Sequence, residues 1–474
     1  MSLTAVFLLA VAAGPVTNTA TSTVGPDGDV VVVGEPLPVT DNGDVERVEP
    51  PDVDGRDPKG PSPGEALLWV PRVLFSPVYA LWEYGIRRPT GSLLTWVEKN
   101  QVPLQLYLLF TFGPERKSGV FPTLLLDFGF RPSGGFFFFS NDTFIDGHDV
   151  RITGAYGGPN WFRGTYSSEF ALSKSSKVGA SFQIEQRPDR IFHGVGPTTL
   201  REDRSRFLQR TVNGRLNFTQ ELIRGMDLKL QFKVEENQFD INDTAFQNND
   251  PSLGDALALG LFPQPAGLEG FFAFTIGADV RYDSRTDTRE NGTGISSRVL
   301  ANYSADINDP ERRQWLNAAG GISGHLDLGR NRIIGLGGFA QHVFQFGDID
   351  VPFTELASSG TGPLALGAFQ PGRLLGNALA VVAAEYRYEV WAFMDGRLFA
   401  AVGNVFGENF GETIPGADDG FDVDLLRLSY GIGLSSIGDP DQSFNFVFAL
   451  GHDTFEQGAG IDTVRVLVGF QPDF

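Results

Sequence analysis

The chain has 474 residues, a formal net charge of −21, 58 glycines, 41 phenylalanines and no cysteine. The missing cysteine excludes a disulfide scaffold, a thiol nucleophile, a cysteine-ligated metal and a lipidated N-terminal cysteine, and the acidity argues against nucleic acid, since nothing basic clusters to neutralise phosphates. No apolar run reaches the roughly 18 residues of a spanning helix, which excludes a helical-bundle membrane protein but not a barrel, whose strands cross with about 9–11 residues.

In chain order, residues 1–20 read as a secretory signal peptide, with an apolar run from Ala5 to Ala13 followed by small residues. Residues 21–63 are rich in Pro, Gly and Asp and read as a disordered acidic linker. Residues 64–104 read as short amphipathic helices interrupted by Pro71, Pro77 and Pro89. There Trp69, Trp82 and Trp96, with Arg72, Arg87 and Arg88, suit a periplasmic segment lying under a membrane, a plug inside a barrel, or an amphipathic cap against protein.

Residues 105–474 read as a transmembrane barrel. Met226, Leu228, Leu230, Phe232 and Val234 alternate with Asp227, Lys229, Gln231, Lys233 and Glu235. Leu426, Leu428, Tyr430, Ile432 and Leu434 alternate with Arg427, Ser429, Gly431 and Gly433. A soluble sandwich alternates too, but Lys, Gln, Arg and Glu on the inner side describe a wet lumen. The pattern predicts sixteen strands, at 120–130, 134–144, 149–157, 161–172, 178–187, 206–220, 226–238, 271–283, 294–305, 315–328, 332–346, 378–391, 395–406, 425–436, 443–452 and 464–474. The fold class is therefore all-β, a 16-stranded antiparallel barrel with short N-terminal helices. The long connections, about 188–205, 239–270, 347–377 and 407–424, are expected outside the cell. Gly335 and Gly337 place small residues on the lumen face. In the final strand Val466, Val468, Phe470 and Phe474 share the apolar side, and this ending looks like the C-terminal signal of outer-membrane barrels.

The five histidines, His148, His193, His325, His342 and His452, show no paired metal spacing. No nucleophile elbow, P-loop or dinucleotide fingerprint occurs. The expectation is a protein that is not an enzyme, with no cofactor and no metal.

Several segments carry a resemblance: Val351-Pro-Phe-Thr-Glu-Leu356, Leu366-Gly-Ala-Phe369, Pro371-Gly-Arg-Leu-Leu-Gly376, Glu385-Tyr-Arg387 and Leu398-Phe-Ala-Ala-Val-Gly-Asn-Val-Phe406. Phe192-His-Gly-Val-Gly-Pro197 and Val280-Arg-Tyr-Asp-Ser-Arg285 add to it. Together and in this order they resemble the barrel of the Omp85 superfamily, the bacterial surface antigen or BamA/TamA family. The resemblance implies that residues 347–377 fold back into the lumen as an inward loop. It also implies departures. The family's loop Arg is replaced by Gly367, and its strand Asp by Ala401, so both halves of one lumen ion pair are missing. No pattern for polypeptide-transport-associated domains fits before Gly64. With Phe369 and Gly372 in the loop, and Glu385 and Arg387 facing inward by alternation, Arg373 is the expected substitute anchor, paired with Glu385.

The resemblance implies an outer-membrane protein that assists insertion or translocation of polypeptide or lipid, with outer-membrane lipid, client polypeptides or other envelope proteins as partners. The missing pair and missing domains favour an alternative, a passive pore or a structural barrel that has lost the assembly role; a third reading is a docking component of an envelope complex, with the helices of residues 64–100 as its docking surface.

Overall fold

The computed structural model describes residues 84, 99–100, 102–242, 249–285, 292–329, 332–359, 366–391, 394–407, 422–436 and 444–470. The chain divides into two compact units, and the one containing Leu104–Phe474 holds all the strands described below. Trp69, Trp82, Trp96 and Phe474 lie outside the described residues.

Sixteen antiparallel strands close into one barrel. In order they are β1 Ser118–Asp127, β2 Ser133–Ser140, β3 His148–Tyr156, β4 Phe162–Ala171, β5 Ser176–Phe192, β6 Ser205–Ile223, β7 Met226–Asp240 and β8 Phe271–Asp283, followed by β9 Gly294–Asp306, β10 Gln314–Asp327, β11 Arg332–Gln345, β12 Ala378–Trp391, β13 Met394–Phe406, β14 Arg427–Ser436, β15 Phe444–Thr454 and β16 Ile461–Phe470. Each pairs with its sequence neighbours, and β16 returns to β1. The period-two pattern works because successive side chains point to opposite faces of the wall, so apolar residues at every second position share the outer face and the others line the bore. Val464, Ile432 and Leu398 stand exposed on the outer face, where Val466 and Val468 also lie.

Every strand read from alternation is present, with shifted ends. β5 runs on to Phe192 because its ladder with β6 is shifted between Arg187 and Arg190 rather than ended. Pro188 has no N–H to give, and the chain passes it by a bulge. β16 begins at Ile461, and its register with β15 shifts at Gly451 and His452.

The connections after β5, β7, β11 and β13 are the long ones, and all four leave the same end of the barrel. The other end carries tight turns such as Arg224-Gly225, and the chain enters β1 there. We call these the loop end and the turn end. At the turn end a short helix, α1 Val102–Phe110, sets Tyr107 and Phe110 against the inward rings of Phe121, Phe137 and Phe139.

Candidate functional site

The bore is crossed at the loop end by the β11–β12 connection. After Phe346 the chain makes a single tight turn at Phe353–Glu355. Ala357 and Ser358 pair with Gly376 and Leu375, so the segment is a folded hairpin rather than a free loop. Its root packs on one wall: the Phe353 ring lies 5.3 Å from Phe192, 5.4 Å from Phe207 and 5.3 Å from Phe239 on β5–β7. Its tip packs on the opposite wall. Gly451 of β15 leaves the space that Phe369 fills, since a Cβ there would lie 2.9 Å from the Phe369 ring. The Ala368 N–H donates to Ser429 Oγ of β14 at 3.0 Å. Strands β6 and β14 are eight places apart in a circuit of sixteen, so the loop spans the bore from side to side.

Leu366, Phe369, Leu374, Leu379, Val381, Ala401 and Val405 form one buried apolar cluster with this tip. Gly367 and Ala401, where the sequence lacks an ion pair, are therefore apolar packing positions, with the Gly367 backbone close under the Phe399 ring. Gly372 sits at φ +87°, and a Cβ there would come within 2.5 Å of the Ile191 carbonyl. Only glycine admits that approach of the loop to the end of β5.

Charges from the wall hold the tip. Arg465 of β16 donates to the carbonyls of Gly367 and Phe369 at 3.2 and 3.3 Å and pairs with Asp127 of β1 at 3.0 Å. One guanidinium thus ties the last strand to the first and both to the loop. The Gln370 side chain adds a bond to the Phe128 carbonyl at 2.6 Å.

Arg373 is fully engaged, but not with Glu385. It pairs with Asp462 at 3.0 Å and donates to Thr199 Oγ1 and the Thr199 carbonyl at 2.8 and 3.0 Å. Glu385 instead pairs with Arg387 on its own strand at 2.9 Å. The expected Arg373–Glu385 pair fails on depth. Glu385 does face inward, but it lies seven residues into β12 from Ala378, roughly 23 Å along the strand from the loop end at 3.3 Å per residue. Asp462 stands at the rim, where Arg373 is.

A second arginine completes the latch. Arg427 of β14 pairs with Asp453 at 3.3 Å and approaches Asp462 at 3.8 Å, and it donates to the carbonyls of Pro197 and Thr199 at 3.2 and 2.8 Å. Asn404 and Gln457 bond the carbonyls of Pro197 and Thr198. The β5–β6 connection is thereby strapped over the inward loop, and Gly196 N–H donates to the Leu375 carbonyl at 2.8 Å. Buried guanidinium groups are tolerable here because carbonyls and carboxylates meet most of their N–H groups, the buried Nε of Arg427 excepted.

His193 lies in that strap, buried. Desolvation, then the surrounding Arg373, Arg204, Arg206 and Arg427, hold its imidazole well below its ordinary value, so it stays neutral. The released chain binds a proton near pH 6.5 and the latched form does not. The latch is therefore at full strength above that pH and weakens as pH falls below it, until the depressed folded value is reached. Hydrogen-exchange protection factors of residues 193–200, corrected for the intrinsic fall of amide exchange at lower pH, should be smaller at pH 5 than at pH 7.5, and His193→Gln should shrink that difference. An equal pH response in the variant would rule the histidine out as its source.

Arg427, Arg465, Asp127 and Asp462 were not singled out as site residues from the sequence, although Arg427 and Arg465 stand plainly on the polar side of spanning strands. A cation there needs a partner, and that requirement was the available signal. Among the described residues no group of acidic or histidine side chains is arranged to hold a metal ion.

No family model and no curated protein matches the chain. Solved structures do. BamA from Haemophilus ducreyi, in a form lacking POTRA domains 1–3, is similar with a TM-score of 0.53 and 14% identity, over 75% of this chain and 70% of that one. CdiB from Acinetobacter baumannii aligns at 12% identity and a TM-score of 0.46, over 75% of this chain and 60% of that one. CdiB from Escherichia coli aligns at 13% and 0.47, over 76% and 64%. The two CdiB alignments are too loose to argue from. The likeness to BamA is one of fold, and this chain has the architecture of an outer-membrane β-barrel.

Proposed function

We propose that the protein is an Omp85-type outer-membrane barrel that assists insertion or translocation of polypeptide or lipid by opening the seam between β16 and β1, without a chemical step of its own. The observation that carries this reading is the seam. Among the described residues Leu124–Asp127 pair with Leu467–Phe470, and beyond them the only backbone hydrogen bond across the seam runs from the Phe128 N–H to the Val466 carbonyl at 3.0 Å, whereas β5 and β6 pair from Ser176 to Phe192. A ladder of four pairs is the cheapest place to part the wall, and the exposed edges could then pair with a client strand. The loop that crosses the bore weighs against a passive pore.

The native chain has no cysteine, so a seam lock is clean. Leu125 and Gly469 are register partners, and a Cβ on Gly469 would lie 3.2 Å from the Leu125 side chain. Cells depleted of the native protein and supplied with the Leu125→Cys/Gly469→Cys variant should keep normal outer-membrane protein and lipid profiles when reduced and lose them when oxidised. Unchanged profiles on depletion alone would end the assembly reading, and unchanged profiles in the oxidised variant would end seam opening.

A further inference from the structure

The seam strand β1 has two edges, and at the turn end both are occupied. Ser118 and Gly119 give one edge to Ser140 and Phe139 of β2. The other edge meets β16 farther along, at residues 124–127. At Ser118 and Gly119 that seam edge is taken by the chain's own lead-in: Thr111 pairs with Gly119, and Phe112 with Ser118. Residues 104–117 thus form a hairpin folded back on the strand they precede. A covered edge cannot pair with another chain.

The hairpin holds together as a unit. The Thr111 hydroxyl donates to the Tyr107 carbonyl at 2.6 Å, and Arg116 donates to the carbonyls of Leu108 and Thr111 at 3.0 and 2.8 Å, closing the end of α1. Its seat is fitted. The Phe110 ring lies 5.5 Å from Phe121. A Cβ on Gly119 would stand 2.5 Å from the Phe139 ring and 3.1 Å from the Phe110 carbonyl, so glycine admits the close approach there. Its attachment is light. Two ladder pairs hold the edge among the described residues. Glu115 and Arg116 take φ values of +54° and +55°, a region that strains residues other than glycine. Leu109 and Phe112 stay exposed. Against release stands the burial of Phe121, Phe137 and Phe139 beneath Tyr107 and Phe110, which keeps the hairpin seated at rest.

β1 has 10 residues, Ser118–Asp127, within the about 9–11 that a strand needs to cross a bilayer. Parted from β16 but with the hairpin seated, its edge runs over residues 120–127, two short of the full strand. We propose that the hairpin of residues 104–117 is a displaceable cap on the seam edge of β1, and that the partner it holds back is a full-length membrane-spanning strand. A shorter strand pairs beside the cap. A full one has to lift Thr111 and Phe112 off Gly119 and Ser118. The role of the cap in cells rests on the seam reading, whereas the competition for the edge is a property of the purified barrel.

The test uses the purified full chain in neutral detergent and two fluorescent peptides read by anisotropy. One is an amphipathic strand with the sequence of residues 226–235, and the other is its shorter form, residues 228–235. The chain has no native cysteine, so Phe112→Cys/Ser118→Cys joins a register pair and locks the cap when oxidised. Reduced, this variant should bind the longer peptide about tenfold more tightly than the shorter, the gain of two further ladder pairs. Oxidised, it should bind the two alike. Phe110→Ala leaves β1 unchanged and loosens the seat, so it should tighten the longer peptide several-fold without moving the shorter. A length preference that survives oxidation, or an unchanged longer peptide in Phe110→Ala, overturns the cap. Failure of both peptides to bind overturns the strand as its partner. If the Leu125→Cys/Gly469→Cys lock proves harmless in cells while the cap lock abolishes the length preference, seam opening falls and the cap stands. The reverse pair of results ends the cap alone.

Discussion

Arg465→Ala should destabilise the barrel by about 3–5 kcal/mol, because it strips the partner from a buried carboxylate. Asp127 and Arg465 are each about nine-tenths buried and 3.0 Å apart. The same substitution leaves the carbonyls of Gly367 and Phe369 without the donors that fix the loop tip. Two structures should loosen together: the four-pair seam, which loses its one cross-strand ion pair among the described residues, and the inward loop, which loses its charged tether. The measurement is the temperature at which the folded band disappears on semi-native gels, with hydrogen exchange at residues 366–373 as the local reading. Adding Asp127→Asn to Arg465→Ala should recover part of the loss, because the stranded charge goes while the missing donors do not return. A double-mutant cycle then separates the ion pair from the loop tether. A fold as heat-resistant as the wild type would mean that Arg465 is solvated and holds nothing.

The strands could be read from the sequence because what dictates them is local. Lys229, Gln231 and Lys233 alternate with Leu228, Leu230 and Phe232 whatever lies elsewhere in the chain. The long connections at one end follow from the same reading, since each strand reverses direction. The existence of an inward loop was legible only through the resemblance, on Val351-Pro-Phe and the Phe369 to Gly376 segment. Its anchoring was not legible. Arg373 meets Asp462 across 89 residues of chain, and Arg465 meets Asp127 across 338. Alternation says which face a residue takes but not how deep it sits, and depth decided between Asp462 and Glu385. Gly367 shows the other side of this. A missing loop arginine suggested a lost contact, but the wall supplies the guanidinium and the loop supplies the carbonyl.

Replacing residues 347–376 with a short hairpin turn should convert a barrel that gives no steady current into a steady conductor. The ladder between β11 and β12 permits the excision: His342 pairs with Ala378, and Val343 N–H donates to the Asn377 carbonyl at 2.7 Å. A two- to five-residue turn can therefore close there without strain on the wall. The loop is the element that joins the β5–β7 wall to the β14–β15 wall, so its removal frees the bore at the loop end. In planar bilayers the intact protein should show silence or brief flicker, and the shortened protein should show stable steps that grow with salt. Phe353→Ala provides the graded case. It costs about 3–5 kcal/mol of packing at the loop root while the Arg465 and Arg373 contacts at the tip persist, so current should flicker between the two extremes. If the intact protein already conducts steadily, the loop does not seal the bore, and the passive-pore reading displaces the assembly one. If the shortened protein folds and stays silent, the obstruction lies deeper, at the turn end, where Tyr107 and Phe110 pack on the inner face of β1 and β2.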